Sequence, residues 1–274
     1  MVIYIGFDSA WTDNPKAPGA ICAVSIGNGH PVRFHSPQLV SFDQALAFIK
    51  NVRSGDEATL IALDQPTVVP NLTSMRPVER VAASLVSWLG GGVQPSNRQR
   101  KGMFCDASPI WRFLRMLNAR EHPEEARLAI NGLYVMEVFP ALALASLGNE
   151  FFGWLSAPKY NPARTKNFRL TDWNRVAETA AQQGRLLGCE ELAEWCHTCG
   201  KIARPRKPDQ DKLDAVLCVL TALHWRLRPR EGSLLLGDLA TGYMVLPASP
   251  EVQRYLREPA RKFSVAINGA IPPI

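Results

Sequence analysis

The chain has no long hydrophobic run, and this absence limits where the protein can work. Of its 274 residues, 46% are hydrophobic, but charge or proline interrupts every apolar stretch well before the roughly 18 residues that a membrane span needs. The N-terminus begins with a predicted strand and not with a basic segment and an apolar core. We therefore expect a cytoplasmic protein with no membrane partner.

The motifs of several enzyme classes are also missing. The five histidines form no His-x-x-x-His pair, and there is neither a Gly-x-Ser-x-Gly elbow nor a Gly-x-x-x-x-Gly-Lys phosphate loop. Asp8 is followed by Ser9-Ala10-Trp11, whereas actin-like ATPases and sugar kinases need a glycine-bearing phosphate hairpin there. The chain therefore does not have the pattern of a serine hydrolase, a P-loop enzyme or a kinase of that fold.

The number and spacing of the cysteines predict neither disulfides nor a zinc site. The six cysteines are scattered along a large chain, which suits reduced thiols. Only 196–199, Cys-His-Thr-Cys, has ligand spacing, and no second pair follows at the distance that a zinc finger requires. We expect no zinc site.

Positive charge is in excess and is concentrated in loops. The formal net charge is +6, and basic residues cluster in the segments 96–101, 159–169 and 201–212. Each cluster alone fits a solvated loop. Together they favour a polyanionic partner such as nucleic acid.

Apolar runs and turn signals predict an α/β fold that starts βββαβ. Residues 2–8, 20–26 and 30–36 are typical of an antiparallel meander with a turn at 27–29, and Ser41 and Gln44 have capping-box spacing for a helix to about Arg53. A fourth strand ends at Asp64. We predict later helices at 76–89, 109–130, 141–147, 171–187 and 210–227, with strands at 133–139 and 243–246. Asp209 is the predicted N-cap of the 210–227 helix.

These elements predict one domain over residues 1–250, with helical and loop insertions around 90–130 and 150–205. Residues 251–274 are predicted to form a C-terminal tail.

Carboxylates lie at the edges of the apolar segments. Asp8, Asp64 and Glu137 each end a predicted buried strand, and Asp211 and Asp214 share one face of the 210–227 helix. A single strand-end Asp is usually a turn or cap residue. Several carboxylates that converge repel one another, and either raised pKa values or a hard divalent cation with oxygen ligands relieves the repulsion. We expect the cation.

The order of elements and carboxylates resembles the ribonuclease H-like fold, a mixed sheet with helical insertions, and especially its resolvase branch. The closest resemblance is to the DUF429 family, described as predicted ribonuclease H-like nucleases, over roughly residues 2–247. Its matching strings are Gly6-Phe7-Asp8-Ser9-Ala10-Trp11, Ala62-Leu63-Asp64-Gln65-Pro66, Arg76-Pro77-Val78-Glu79-Arg80, Glu137-Val138-Phe139-Pro140, Lys159-Tyr160, Asp211-Lys212-Leu213-Asp214-Ala215 and Gly242-Tyr243-Met244-Val245-Leu246-Pro247.

The resemblance implies a phosphodiesterase that uses two divalent ions, Mg²⁺ or Mn²⁺, on nucleic acid or a nucleotide-like substrate. It assigns catalytic roles to Asp8, Asp64, Glu137, Asp211 and Asp214, with all but Asp211 as metal ligands and Asp8 bridging the ions. The resolvase tetrad has no direct counterpart of Glu137, so its role as a ligand, base or neighbouring acid stays open. A homodimer is also implied. The alternative is a catalytically silent binding or scaffold protein of the same fold.

Five basic residues are candidate substrate contacts. Arg76 and Arg80 lie one helical turn apart just after Asp64, where they either clamp a phosphate or neutralise the carboxylates. Arg98, Lys159 and Arg164 are the candidates from the basic loops.

Overall fold

Five strands form one mixed sheet in the order β3-β2-β1-β4-β5. The computed structural model describes residues 1–27 and 29–273, so Asn28 of the predicted turn lies outside the described residues. The strands are β1 (Val2–Asp8), β2 (Gly19–Gly27), β3 (His30–Val40), β4 (Ala58–Asp64) and β5 (Leu133–Glu137). β1 to β3 are antiparallel neighbours, whereas β4 runs parallel to β1 and β5 parallel to β4. The predicted βββαβ start is confirmed.

Helices cover both faces of this sheet. They are α1 (Phe42–Val52), α2 (Pro77–Trp88), α3 (Pro109–Leu117), α4 (Pro123–Leu128), α5 (Pro140–Leu147), α6 (Leu170–Leu186), α7 (Glu190–Gly200), α8 (Lys207–Leu227) and α9 (Pro250–Lys262). Short 3-10 turns lie at Asn149–Phe151 and Arg230–Gly232. The capping box of α1 is present, because the Ser41 hydroxyl accepts from the Gln44 amide and the Gln44 side chain accepts from the Ser41 amide. Across residues 1–27 and 29–273, no helix has the length and apolarity to cross a membrane.

α8 is the central helix and lies across β1, β2 and β4. Its apolar residues are buried almost all round, as expected of a helix enclosed by a sheet on one side and other helices on the other. Gly6 permits the contact with β1, because a Cβ at this position would lie 2.0 Å from the Ala215 carbonyl oxygen and 2.4 Å from the Val219 amide nitrogen. The backbone of α8 thus lies directly against the strand that carries Asp8.

A second, two-stranded sheet closes one side of the fold. β6 (Ser233–Asp238) pairs antiparallel with β7 (Gly242–Pro247), and only β7 was predicted. α9 packs against α2, with Val252, Leu256 and Ala260 fully buried. The predicted tail at 251–274 is therefore wrong for its first twelve residues, which carry apolar side chains at helical spacing after the Ser249 cap.

Two further expectations need correction. Residues 109–130 form two short helices, α3 and α4, because Asn118 adopts a left-handed conformation with φ of 49° and ends α3. Asp209 does not cap α8. The helix begins at Lys207 with Pro208 in its first turn, and the Asp209 carboxylate accepts from the Arg206 amide, 2.8 Å away.

The close contact at Gly6 predicts a stability effect. Gly6→Ala should lower the free energy of unfolding by roughly 1–3 kcal/mol, because its Cβ would push α8 from β1. Gly92→Ala is the control, since a Cβ there meets no atom within 4 Å, and it should change stability little. Urea unfolding followed by circular dichroism measures both. Equal stabilities of the two variants would contradict the packing described.

Candidate functional site

Asp8 and Asp64 lie side by side at the ends of two parallel strands. They face each other in the β1/β4 register, so their backbones are separated by about 4.8 Å. Asp8 is 8% exposed, and within the described residues neither carboxylate accepts a hydrogen bond. Two neighbouring carboxylates without donors oppose each other's ionisation.

α8 adds two more carboxylates. Asp214 accepts from the Tyr160 hydroxyl at 2.7 Å and from the Gln210 side-chain amide at 2.6 Å, one donor to each oxygen. Asp211 forms an ion pair with the ammonium of Lys207, one helical turn earlier. Asp214 is thereby oriented toward Asp8 and Asp64, while Asp211 is already neutralised.

The four aspartates line one cavity of about 630 Å³. Its basic side chains are Lys16, Lys159, Arg164 and Lys207, and its aromatic side chains are Trp11, Phe139, Tyr160 and Phe168. Trp11 donates from its indole nitrogen to the Asp64 carbonyl oxygen at 3.1 Å. The cavity therefore combines a carboxylate cluster with cations and aromatic rings.

Burial and mutual repulsion govern the ionisation of this cluster. Burial, then the charges of Asp214 and Asp64, raise the pKa of Asp8 well above its ordinary value. Burial and the charges of Asp214 and Glu137 do the same for Asp64. The pKa of Asp214 rises to about 6, because burial outweighs the favourable effects of Lys207 and Tyr160. Burial lowers the pKa of Lys207, but Asp8, Asp214 and Asp211 more than offset it and the net shift is upward.

The donor set fits a hard divalent cation. Its ligands would all be carboxylate oxygens, as Mg²⁺ and Mn²⁺ prefer, and among the described residues Asp8 and Asp64 accept no hydrogen bond and form no ion pair. In the part of the chain that the structure describes, however, no three Asp, Glu, His or Cys side chains are arranged as a finished metal cage. A cation would therefore require side-chain adjustment or water ligands, which are usual for Mg²⁺.

Glu137 lies beside this cavity in a different environment. Its carboxylate accepts from the Arg76 guanidinium at 2.5 and 2.9 Å and from the Thr67 amide at 3.1 Å. Arg76 is 0% exposed and also pairs with Glu79 at 2.9 Å. Burial raises the pKa of Glu137, and the Arg76 charge opposes that rise. With Arg76 engaged on both sides, the structure favours its neutralising role over a phosphate clamp.

The other predicted basic residues divide into two groups. Lys159 and Arg164 line the main cavity, and Arg164 also lines a smaller adjoining cavity of about 350 Å³ that contains Glu137. Arg80 is exposed and lines neither cavity. Arg98 also lines neither and pairs with Asp106 while lying 5.3 Å from the centre of the Trp111 ring. The structure thus brings two of the five candidates to the site.

A family model described as a protein of unknown function, DUF429, matches residues 6–238. The chain belongs to the DUF429 family. No curated protein and no solved structure matches it significantly. The matched region of this DUF429 protein contains every carboxylate of the cavity.

Two residues of the DUF429 site, Gln210 and Tyr160, had no role assigned to them from the sequence, and Lys207 was predicted only as one of the basic residues of segment 201–212 that attract a polyanion. Lys207 and Gln210 precede Asp211 and Asp214 by four positions each, a spacing that puts side chains together on a helix. That spacing was the available signal. Tyr160 contacts Asp214 from 54 residues away, and no local pattern reveals such a contact.

The raised pKa values predict how stability depends on pH. Without added metal, the free energy of unfolding should fall as the pH rises from about 4 through 6 and beyond. The reason is that the aspartates ionise near pH 3.9 in the unfolded chain but only at higher pH in the folded protein. Asp64→Asn should flatten this dependence. Saturating Mn²⁺ should stabilise the wild type at pH 7.5, by about 2.7 kcal/mol at 100 times its Kd.

Thermal unfolding between pH 4.5 and 8 measures these effects. Asp43→Asn is the control, because Asp43 is 61% exposed and remote from the cavity. An identical pH and Mn²⁺ response in wild type and Asp64→Asn would contradict the assignment of Asp64 as a ligand.

Proposed function

We propose that this DUF429 protein is a divalent-metal-dependent phosphodiesterase of ribonuclease H-like fold that cleaves nucleic acid. The observation that carries the proposal is the pairing of buried Asp8 with half-buried Asp64 beside Asp214 in the cavity, where, among the described residues, neither Asp8 nor Asp64 receives a hydrogen bond. Buried charges without partners are costly, so their presence favours a ligand that supplies positive charge.

The fold supports the same proposal. The sheet order β3-β2-β1-β4-β5 with β1 and β4 parallel, and a helix bearing carboxylates across it, is the arrangement that the ribonuclease H-like resemblance implies. In such a fold the first and fourth strands deliver their acids to the same edge. Asp8 and Asp64 occupy these positions.

Each residue has a role in this proposal. Asp8, Asp64 and Asp214 would hold the ion, and Tyr160 and Gln210 would keep the Asp214 carboxylate oriented. An ion held by these residues would supply an activated water and would stabilise the departing oxygen. Glu137 lies outside the ligand set in this proposal, because Arg76 and the Thr67 amide already bind its oxygens.

Cations around the cavity would receive the substrate. Lys159 and Arg164 lie on the connection between α5 and α6, and Lys16 lies on the loop between β1 and β2. Their charges would offset the repulsion between the carboxylates and a phosphate backbone. This arrangement favours a polyanion.

Two observations favour the alternative of a catalytically silent binding protein. Lys207 already neutralises Asp211, and the described residues include no preformed cage for a metal ion. A silent protein would bind nucleic acid without cleaving it.

An assay of metal-dependent cleavage distinguishes the phosphodiesterase from the catalytically silent binding protein. The wild type should cleave at least one of a panel of single-stranded, hybrid and branched substrates in Mg²⁺ or Mn²⁺, and Asp64→Asn or Asp214→Asn should lower the rate at least about 100-fold, because the ion contributes several kcal/mol. Tyr160→Phe should cost about 10–100-fold. Asp43→Asn should retain full activity. Cleavage that survives in Asp64→Asn, or that needs no divalent ion, would contradict the proposal.

Salt dependence tests the nucleic-acid partner. The logarithm of the affinity should fall linearly with the logarithm of salt concentration, and Lys159→Ala or Arg164→Ala should each reduce the slope by about 0.7–0.9. Arg98→Ala is the matched control, since its guanidinium is paired with Asp106 away from the cavity. Fluorescence anisotropy with labelled oligonucleotides measures the slopes. A wild type without salt-dependent affinity for DNA or RNA would exclude the nucleic-acid partner.

A further inference from the structure

Of the four basic side chains that line the carboxylate cavity, Lys207 is the one that, within the described residues, forms an ion pair with a lining aspartate. We propose that the Lys207 ammonium takes the place of one of the two divalent ions that the resemblance implies, so that the site binds a single ion. This inference rests on the proposed function, because it concerns the same carboxylates.

The position of Lys207 is the first argument. It is the first residue of α8, its ammonium pairs with Asp211, and its side chain lines the cavity. Its charge also acts on Asp8 and Asp214. An ordinary exposed ion pair at this spacing is weak. Here the Asp211 side chain is 12% exposed and the Lys207 side chain 48% exposed, so the carboxylate is enclosed by the cavity wall while the ammonium is reachable from the open side of the cavity.

The second argument is the number of carboxylate oxygens that are free to bind a metal ion. A two-ion site needs a bridging carboxylate and further free carboxylates on each side. Asp211 is engaged by Lys207, and each oxygen of Asp214 already accepts one hydrogen bond. Asp8 and Asp64, with the remaining lone pairs of Asp214, suffice for one ion completed by water.

The third argument concerns the chemistry that an ammonium can supply. Lys207 can neutralise carboxylates and bind a phosphate oxygen, as lysine does in other phosphate sites. It cannot ionise a bound water as a metal ion does. The single ion would therefore sit near Asp8 and Asp64, and Lys207 would balance the charge near Asp211.

Counting bound Mn²⁺ tests the inference without an activity assay. The full chain is titrated with Mn²⁺ and free ion is measured by electron paramagnetic resonance. The wild type should bind one Mn²⁺. Lys207→Met should bind two, because Asp211 becomes free, and the double variant Lys207→Met/Asp211→Asn should return to one. Lys207→Gln repeats the test if the methionine variant does not fold.

Two controls define the charge requirement. Lys207→Arg keeps the cation and should bind one Mn²⁺. Lys212→Met removes a cation from the same helix that does not line the cavity, and it should also bind one.

The outcomes separate this inference from the proposed function. Two Mn²⁺ ions in the wild type, or a single ion in the folded Lys207→Met or Lys207→Gln variant, would overturn the role of Lys207 and leave a metal-dependent phosphodiesterase standing. No Mn²⁺ binding by the wild type would overturn the proposed function and the inference together.

Discussion

The contact between α8 and β1 at Gly6 is the constraint on which the site depends. The helix backbone can approach the strand only because Gly6 has no side chain, and the nearest helix atom would be 2.0 Å from a Cβ. Asp8 follows two residues later on the strand, and Asp214 immediately precedes Ala215, whose carbonyl faces Gly6. A single close backbone contact thus brings carboxylates from two distant parts of the chain together.

The two groups of buried acids differ in how their charge is balanced. Glu137 and Glu79 share the fully buried Arg76 and also accept from backbone amides, so both carboxylates have donors. Breaking such a pair typically costs 3–5 kcal/mol, since it leaves a buried charge alone. Within the described part of the chain, Asp8 and Asp64 form no ion pair, and both line a cavity. The group that Arg76 binds fits a structural role, whereas carboxylates without donors are typical of sites where stability is given up for chemistry.

The sequence predicted the strands and helices that are defined by residues close together in the chain. Continuous apolar runs marked β1 and β4, and Ser41 with Gln44 marked the start of α1. The specific contact between Arg76 and Glu137 could not be predicted, because the two residues are 61 positions apart and the sequence offers several other acids as partners for Arg76. The helix α9 was not predicted although Val252, Leu256 and Ala260 recur at helical spacing, because Pro259 interrupts the helical pattern in the sequence. Patterns along the chain therefore reveal elements, and only the fold reveals which charges meet.

The acidic and basic side chains of the cavity differ in how deeply they are buried, and this difference constrains how a substrate can approach. Asp8 and Asp214 are nearly inaccessible, whereas Lys16 and Arg164 are exposed. An anion that approaches the cavity would meet positive charge first and negative charge only at the bottom. Simple electrostatic attraction therefore cannot bring a phosphate to the aspartates. A cation bound at the aspartates would supply that attraction, while Lys207, whose side chain is 48% exposed and pairs with Asp211, adds positive charge at the cavity wall.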